Sequence, residues 1–144
     1  MDQIRNQAVQ CLINYNIRPG SSTVVFDIND TLVFDGNVPN VQMISLVKTA
    51  KQLGYKVILM TARSPNVYSR FQMFLLGVPY DELQFVPAIR KSDEKRRLKL
   101  DIVLSVGDRV TDLGASKYWI KLPEVGGDPR IYTNISNDLR NSCR

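Results

Sequence analysis

Short apolar runs alternate along this chain with longer segments of helical spacing. Five runs rich in β-branched or aromatic residues are typical of strands, at about 23–27, 56–60, 84–87, 102–106 and 118–122. Strands that alternate with helices need right-handed crossovers and build a parallel sheet covered on both faces. The pattern therefore predicts an α/β fold of three layers, with helices on both sides of a parallel, Rossmann-like sheet.

Capping signals and apolar faces define the first two predicted helices. The first helix, about 3–15, has an apolar face made of Ile4, Ala8, Cys11, Leu12 and Tyr15. Asn40 can cap a second helix that continues through Leu53, and Gly54 fits the position just after its end.

Three further segments follow from the same signals. Ser64 and Pro65 are expected as the N-cap and first residue of a third helix, which Gly77 ends. The apolar stripe of this helix is predicted to face the core and consists of Val67, Phe71, Phe74 and Leu75. A basic helix is expected at about 92–99, with Ser92 as its N-cap. The segment at about 124–144 is rich in Gly, Asn and Asp, which predicts a surface tail.

The composition is that of one globular domain. A length of 144 residues suits a single core, which we expect over residues 1–144. A hydrophobic fraction of 44% and a charged fraction of 23% argue against disorder. No apolar run reaches the roughly 20 residues that span a bilayer, and the N-terminus lacks the apolar core of a signal peptide. We therefore expect no membrane association and a cytoplasmic location.

Scarce residue types narrow the possible chemistry. The chain has no histidine, which excludes Ser-His-Asp hydrolysis, histidine acid-base catalysis and ordinary zinc sites. Catalysis would then use carboxylates, lysine, hydroxyl groups or a hard metal ion. Cys11 and Cys143 lie near opposite ends, where a disulfide is possible but free thiols in a reducing compartment are favoured.

The net charge of +5 and a pI near 9.4 favour anionic ligands, including phosphates and nucleic acid. Much of the excess lies in residues 90–99, a run that is also typical of a solvated helix face. Nucleic-acid binding is the least favoured function, because this run lacks the interleaved aromatic residues that stack on single-stranded bases.

Polar side chains of complementary kinds follow the first four predicted strands. Asp27 follows the first strand, Thr61 the second, Lys91 the third after a short loop, and Asp108 the fourth. The C-terminal ends of parallel strands converge on one crevice. Carboxylate, hydroxyl and ammonium groups together suit in-line phosphoryl transfer with a hard cation.

Four segments, in chain order, resemble the four motifs of the haloacid dehalogenase superfamily. They are Val25-Phe26-Asp27-Ile28-Asn29-Asp30-Thr31-Leu32, Leu59-Met60-Thr61-Ala62-Arg63, Lys91-Ser92-x-x-Lys95 and Val106-Gly107-Asp108-x-x-x-Asp112. With Lys121-Leu122-Pro123 behind the fourth motif, the chain is most similar to the subclass IIIB acid phosphatases and their plant vegetative-storage relatives. The resemblance spans about residues 21–124 and implies a magnesium-dependent phosphomonoester phosphatase.

The resemblance also implies roles for individual residues. Asp27 matches the nucleophile that forms an aspartyl-phosphate. Thr61, with Ala62 and Arg63, matches the motif that binds the phosphoryl group. Lys91 matches the lysine that neutralises the nucleophile and phosphate. Arg63 is equally consistent with a structural ion-pair partner, and Lys95, one helical turn after Lys91, is the alternative lysine.

The implied cofactor is Mg²⁺, held by Asp27, Asp108 and the backbone carbonyl of Asn29. Asp112 belongs to the same acidic motif and either reaches the metal through water or orients Lys91.

Asn29 is the one departure from the motif pattern, because the family has the acid-base Asp at this position. Asn has a similar shape but neither gives nor takes a proton near neutral pH. General acid-base catalysis contributes about 100- to 10,000-fold in rate, so Asn29 implies a slow phosphatase. The alternatives are a phosphate-binding or storage-type protein that has lost turnover, and an engineered substitution.

The spacing between motifs leaves no room for the cap domain that many superfamily members carry. One helix and one strand fill most of the segment from Thr31 to Thr61, and again that from Arg63 to Lys91. We therefore expect an open crevice. Selectivity for a phosphorylated substrate, whether a small phosphomonoester, a nucleotide or something larger, would come from the loop Phe34-Asp35-Gly36, from an oligomeric partner or from the size of the substrate.

Overall fold

A six-stranded, mostly parallel sheet lies at the centre of the molecule and is flanked by helices. The structure is a computed structural model and describes residues 2–34, 37–123 and 134–141. The strands are β1 (Ser22–Phe26), β2 (Val33–Phe34), β3 (Val38–Pro39), β4 (Lys56–Thr61), β5 (Glu82–Phe85), β6 (Asp101–Gly107), β7 (Tyr118–Lys121) and β8 (Asn134–Ile135). The helices are α1 (Asp2–Asn14), α2 (Val41–Gln52), α3 (Val67–Leu75), α4 (Lys91–Arg97) and α5 (Asn137–Asn141), with 3₁₀ turns at Ala88–Arg90 and Val110–Asp112. Among the described residues, no helix combines the length and apolar character needed to cross a membrane.

β1 occupies the middle of the sheet, whose strand order is β5-β4-β1-β6-β7-β8. It pairs in parallel with β4 on one side and with β6 on the other. Val24 and Phe26 pack into the larger core, whereas Val25 packs into a smaller one, because successive side chains of a strand point to opposite faces. The predicted parallel α/β sheet is confirmed at this level, and the C-terminal ends of β4, β1 and β6 lie side by side.

α1 and α2 form as predicted. Ala8 and Leu12 of α1 are buried in the larger core. Asn40 caps α2 through its Oδ1, which accepts a hydrogen bond from the N–H of Met43 at 3.3 Å. Gly54 follows α2 with a φ of +98°, a left-handed conformation that glycine adopts without steric cost.

Cys11 lies on the buried face of α1 and is disulfide-bonded. The expectation of a free thiol is therefore wrong at this position. Cys143 lies outside the described residues.

α3 begins two residues later than predicted. Its N-cap is Asn66, whose Oδ1 accepts a hydrogen bond from the N–H of Ser69 at 3.0 Å. Asn is as strong an N-cap as Ser, and a start at Asn66 leaves Ser64 and Pro65 in the loop before the helix. Gly77 ends the helix as expected, with a φ of +69°.

The predicted apolar stripe of α3 faces solvent instead of the core. The exposed fractions are 84% for Val67, 57% for Phe71, 78% for Phe74 and 65% for Leu75. The buried face consists of Ser69, Gln72 and Met73. Ser69 and Gln72 accept hydrogen bonds from Arg63, and these bonds require the helix to turn its polar residues inward.

α4 and the C-terminal segment also differ from the prediction. α4 begins at Lys91, so Ser92 lies inside the helix instead of capping it. Residues 134–141, which fall in the predicted surface tail, form β8 and α5. β8 pairs antiparallel with β7, and Leu139 of α5 is buried. The rest of that predicted tail, 124–133 and 142–144, lies outside the described residues.

The segments between the site-bearing strands are short. The described part of the chain between β1 and β4 holds the hairpin β2–β3 and α2. The segment between β4 and Lys91 holds α3, β5 and a 3₁₀ turn. Phe34 belongs to β2, and residues 35 and 36 of the predicted selectivity loop lie outside the described residues.

Candidate active site

Asp27 follows β1 directly and lies at the centre of the site. Its N–H donates to the carbonyl of Val106 at 3.0 Å, so the sheet pairing of β1 with β6 extends to Asp27. The residue is only 9% exposed. The backbone thus fixes a nearly buried carboxylate at the C-terminal edge of the sheet.

Two further carboxylates lie beside Asp27. Asp108 follows β6 directly, and Asp112 lies in the 3₁₀ turn Val110–Asp112. One carboxylate oxygen of each of the three residues lies within 4.8 Å of the others. Oxygen ligands at this spacing can hold a hard divalent cation. The structure therefore brings together the three acidic side chains assigned to the metal.

Lys91 bridges two of these carboxylates. Its Nζ lies 3.0 Å from Asp27 Oδ1 and 2.5 Å from Asp112 Oδ1. The second oxygen of Asp112 accepts a hydrogen bond from the N–H of Arg109 at 3.1 Å. Since protein donors engage both of its oxygens, Asp112 is placed to orient Lys91.

Lys95 lies one turn further along α4 and contacts different groups. Its Nζ donates to Ser105 Oγ at 2.9 Å and to the carbonyls of Asp112 and Gly114. Burial lowers its pKa to about 8. Of the two candidate lysines, the structure places Lys91 against Asp27 and places Lys95 against the loop that carries Asp112.

The packing of these groups shifts their protonation. Burial and repulsion from Asp112 raise the pKa of Asp27 to about 7, although Lys91 acts in the opposite direction. Burial also raises the pKa of Asp108. Burial disfavours the charge on Lys91, but Asp27 and Asp112 outweigh it and raise the pKa of its ammonium. At Asp27, burial and the neighbouring carboxylate together outweigh the stabilising charge of Lys91.

Thr61 ends β4 next to Asp27 and is buried. Its Oγ1 accepts a hydrogen bond from the N–H of Arg63 at 3.2 Å, and its hydroxyl proton can still be donated. Thr61 and Ala62 line the same crevice as Asp27 and Lys91. The predicted phosphate-binding motif therefore faces the carboxylates.

Asn29 lies in a tight turn immediately after Asp27. The N–H of Leu32 donates to the carbonyl of Ile28 at 2.9 Å, and the N–H of Asp30 donates to the carbonyl of Val33 at 2.7 Å. Asp30 has a φ of +57°, which asparagine, aspartate and glycine tolerate best. The turn leaves the Asn29 side chain exposed at the mouth of the crevice.

Arg63 holds the Asn29 side chain. Its Nε and Nη2 donate to Asn29 Oδ1 at 2.9 and 2.7 Å, and its Nη1 donates to Ser69 Oγ at 3.0 Å and to Gln72 Oε1 at 2.9 Å. Burial lowers the pKa of the guanidinium. Arg63 therefore makes structural contacts with other side chains. Its partners in these contacts are neutral, so the predicted ion pair is absent from the hydrogen bonds that it makes here.

Four residues of the site were not identified as site residues from the sequence. Arg109 and Ala88 line the crevice, and Ser69 and Gln72 hold Arg63. Arg109 could have been found because it directly follows Asp108. Ser69 and Gln72 are spaced three apart in a helix that is otherwise apolar except for Arg70, which is a signal for an inward polar contact.

The comparisons with known proteins give a fold likeness. No protein-family model and no curated protein matches this sequence. Among solved structures, the chain is similar to a chain of the Pnkp1/Rnl/Hen1 complex, with a TM-score of 0.59 and 18% sequence identity. The match covers 79% of this chain and 50% of that chain, so this chain spans about half the length of the similar one. At this identity the likeness concerns the fold.

Proposed function

We propose that this chain is a magnesium-dependent phosphomonoester phosphatase with Asp27 as its nucleophile. The observation that supports it is the placement of Asp27 at the end of the central strand, close to both the ammonium of Lys91 and the carboxylate of Asp108. Thr61 and Asn29 line the same crevice. With the four motifs in order, this arrangement favours a three-layer, haloacid-dehalogenase-like fold without a cap domain.

The donor set fits a magnesium ion. Three carboxylates lie within 4.8 Å of one another, and the pKa of Asp27 is raised to about 7 by its burial and by repulsion from Asp112. Asp27, Asp108 and the Asn29 carbonyl would hold the ion, with Asp112 close behind them. When bound, Mg²⁺ would stabilise the negative charge of the transferring phosphoryl group.

The protein groups then have distinct roles. An Asp27 oxygen attacks phosphorus, the bond from phosphorus to the leaving oxygen breaks, and the leaving oxygen takes a proton from water. Lys91 reduces the repulsion between Asp27 and the phosphate, and Thr61 donates to a phosphoryl oxygen. Water then attacks phosphorus, the bond to Asp27 breaks, and phosphate leaves.

Asn29 makes turnover slow in this scheme, because it takes no proton from the attacking water. It also favours a second function, a phosphate-binding or storage-type protein on the same scaffold. The two functions differ in whether the bond from phosphorus to Asp27 forms and is hydrolysed.

Turnover of p-nitrophenyl phosphate with magnesium separates the two functions. The phosphatase should release nitrophenol, accumulate phosphate on Asp27 detectable by mass spectrometry, and lose both with Asp27→Asn. Asn29→Asp should raise turnover about 100-fold, the usual weight of a positioned acid-base group. Its effect on substrate affinity should be much smaller, since the two side chains are nearly isosteric. If neither protein releases nitrophenol and phosphate still binds, the binding function is correct.

The metal assignment is tested by calorimetry. Wild type should bind magnesium, and Asp108→Ala should bind it at least about 10-fold more weakly, because a charged oxygen ligand is lost. Asp138→Ala, which removes an exposed carboxylate of α5, is the matched control. Equal binding by wild type and Asp108→Ala would contradict the assignment.

A further inference from the structure

The guanidinium of Arg63 is almost fully engaged by the protein. A guanidinium has five N–H groups. Four hydrogen bonds go to Asn29, Ser69 and Gln72. Ser69 and Gln72 are buried, so the acceptors on this side of Arg63 are fixed by the packing of α3. At most one N–H is left for a phosphate, which makes Arg63 a poor direct ligand.

The contacts of Arg63 determine which end of the Asn29 amide faces the crevice. Nε and Nη2 are both donors, so the group they meet must be the amide oxygen. The amide nitrogen lies on the other side of the side chain. In the part of the chain that the structure describes, no protein acceptor takes a hydrogen bond from Asn29 Nδ2, and its two N–H groups remain available to a ligand.

The depth of the crevice indicates which ligand atom the two Nδ2 N–H groups of Asn29 meet. Asp27, Thr61 and Lys91 are buried at its floor, whereas Asn29 is exposed at its mouth. In an in-line displacement the leaving oxygen departs on the side opposite the nucleophile. A phosphate attacked by Asp27 therefore directs its leaving oxygen towards the mouth.

We propose that Arg63 is a positioning residue for Asn29, and that the Nδ2 N–H groups it fixes donate to the oxygen that leaves phosphorus. This inference rests on the proposed phosphatase function. As the bond from phosphorus to the leaving oxygen breaks, its electron pair passes to that oxygen. Asn29 stabilises the new charge by hydrogen bonding and keeps its protons, and water supplies the proton. Residue 29 thus acts as an electrostatic group, as oxyanion-hole donors do.

Two substrates with different leaving groups test the proposal. Phenyl phosphate has a much more basic leaving oxygen than p-nitrophenyl phosphate, so it depends more on the donor. Asn29→Ala should lower kcat/KM for phenyl phosphate about 10-fold more than for p-nitrophenyl phosphate, within the range of one oxyanion donor. Arg63→Gln should show the same preference, and the double variant should be no worse than Asn29→Ala alone. Equal losses on both substrates, or additive effects of the two changes, would overturn the proposal.

Arg109→Gln is the matched control. It removes the same charge from the same crevice, and Arg109 makes no hydrogen bond to Asn29 among the described residues. Its loss should be similar for both substrates. If Arg63→Gln fails to fold, Ser69→Ala removes one of the acceptors that hold Arg63 and should give a weaker form of the same preference.

NMR of the Asn29 side-chain amide separates this inference from the proposed function. Magnesium with orthovanadate, which places an oxygen opposite the nucleophile, should shift the Asn29 N–H signals in wild type and Arg109→Gln but not in Arg63→Gln. A shift without phosphatase turnover would support the positioning and reject the phosphatase. Turnover without a shift would reject the positioning and leave the phosphatase standing.

Discussion

Asp112 packs against the α-carbon of Gly107, where no side chain can fit. A Cβ at residue 107 would lie 2.2 Å from Asp112 Cβ and 2.3 Å from its Oδ2. Any side chain at residue 107 would clash with Asp112. This lack of space, and not an unusual φ, is the reason that the fourth motif needs glycine here. The close approach keeps Asp112 within reach of Lys91 Nζ.

Gly107→Ala should displace Asp112 and loosen Lys91. We expect a loss of about 1–3 kcal/mol in the free energy of unfolding, as for overpacked positions, and weaker phosphate binding. Urea unfolding and calorimetry with phosphate measure the two effects. Gly114→Ala is the control, because its Cβ would meet chiefly Ser92 Oγ, the end of a side chain that can rotate. Equal losses for both variants would show that the contact with Asp112 is not what matters.

The two buried lysines should differ in their effect on phosphate. Lys91→Ala leaves phosphate facing Asp27 without a nearby cation, whereas Lys95→Ala removes contacts to Ser105 and to the loop around Asp112. Phosphate affinity, measured by calorimetry with magnesium, should fall more for Lys91→Ala. Both changes should lower the free energy of unfolding, because both lysines are buried and hydrogen-bonded. If Lys95→Ala weakens phosphate binding more, Lys91 is not the phosphate-facing lysine.

At the scale of elements, α3 is held by its polar face. Ser69 and Gln72 turn inward to Arg63, and Met73 packs beside them in the core. Phe71 and Phe74 are left outside. The helix thus positions an arginine of the site and leaves its own aromatic residues exposed to solvent.

This orientation predicts an unusual ranking of substitutions in α3. Met73→Ala should cost about 2–5 kcal/mol in the free energy of unfolding, as for other buried methionines. The double variant Phe71→Ser with Phe74→Ser should change it by less than about 1 kcal/mol, since both side chains are exposed. Urea unfolding measures both. A larger loss for the double variant would place the aromatic residues in the core.

The sequence predicts the strands of this fold better than the faces of its helices. β1, β4 and β6 are largely apolar runs rich in β-branched residues, in a sheet covered on both faces, so local composition is enough to find them. The convergence of Asp27, Thr61 and Asp108 then follows from the rule for strand ends. The orientation of α3 depends on bonds from Arg63, which no helical period records. β8 is two residues long and antiparallel, too short for any pattern to show.

At the scale of the whole molecule, the site concentrates charge that the fold must tolerate. Three carboxylates converge where the central strands end, and Lys91 bridges two of them. The result is a folded state that holds a proton on Asp27 up to about pH 7. The metal-free protein should therefore pay a growing electrostatic cost as that proton is lost.

The stability of the metal-free protein should fall between about pH 5 and pH 7. In this window unfolded chains have released the Asp27 proton, since its ordinary pKa is 3.8, whereas folded chains keep it until about 7. The folded state thus binds more protons, and the slope is at most about 1.4 kcal/mol per pH unit for one group. Asp108, whose pKa is also raised, acts in the same direction. The midpoints of urea unfolding in EDTA, compared between pH 5 and pH 7, measure this fall in stability.

Asp27→Asn should flatten this pH dependence, because the titrating group is gone. Magnesium should oppose it, since the ion competes with the proton and binds better as the pH rises through about 7. A wild-type stability that rises from pH 5 to pH 7 in EDTA would contradict the shifted carboxylate.

The central position of β1 also has a kinetic consequence. Ser22 and Thr23 pair with Asp101 and Lys56, partners far along the chain, so both pairings close long loops. The carboxylates of Asp27 and Asp108 meet only after β1 and β6 have joined. During refolding, then, a magnesium ion at the proposed site would find its ligands only on a sheet that already exists. The ion should slow unfolding and leave the rate of refolding nearly unchanged, because it binds the folded sheet and makes no contact in the transition state for folding.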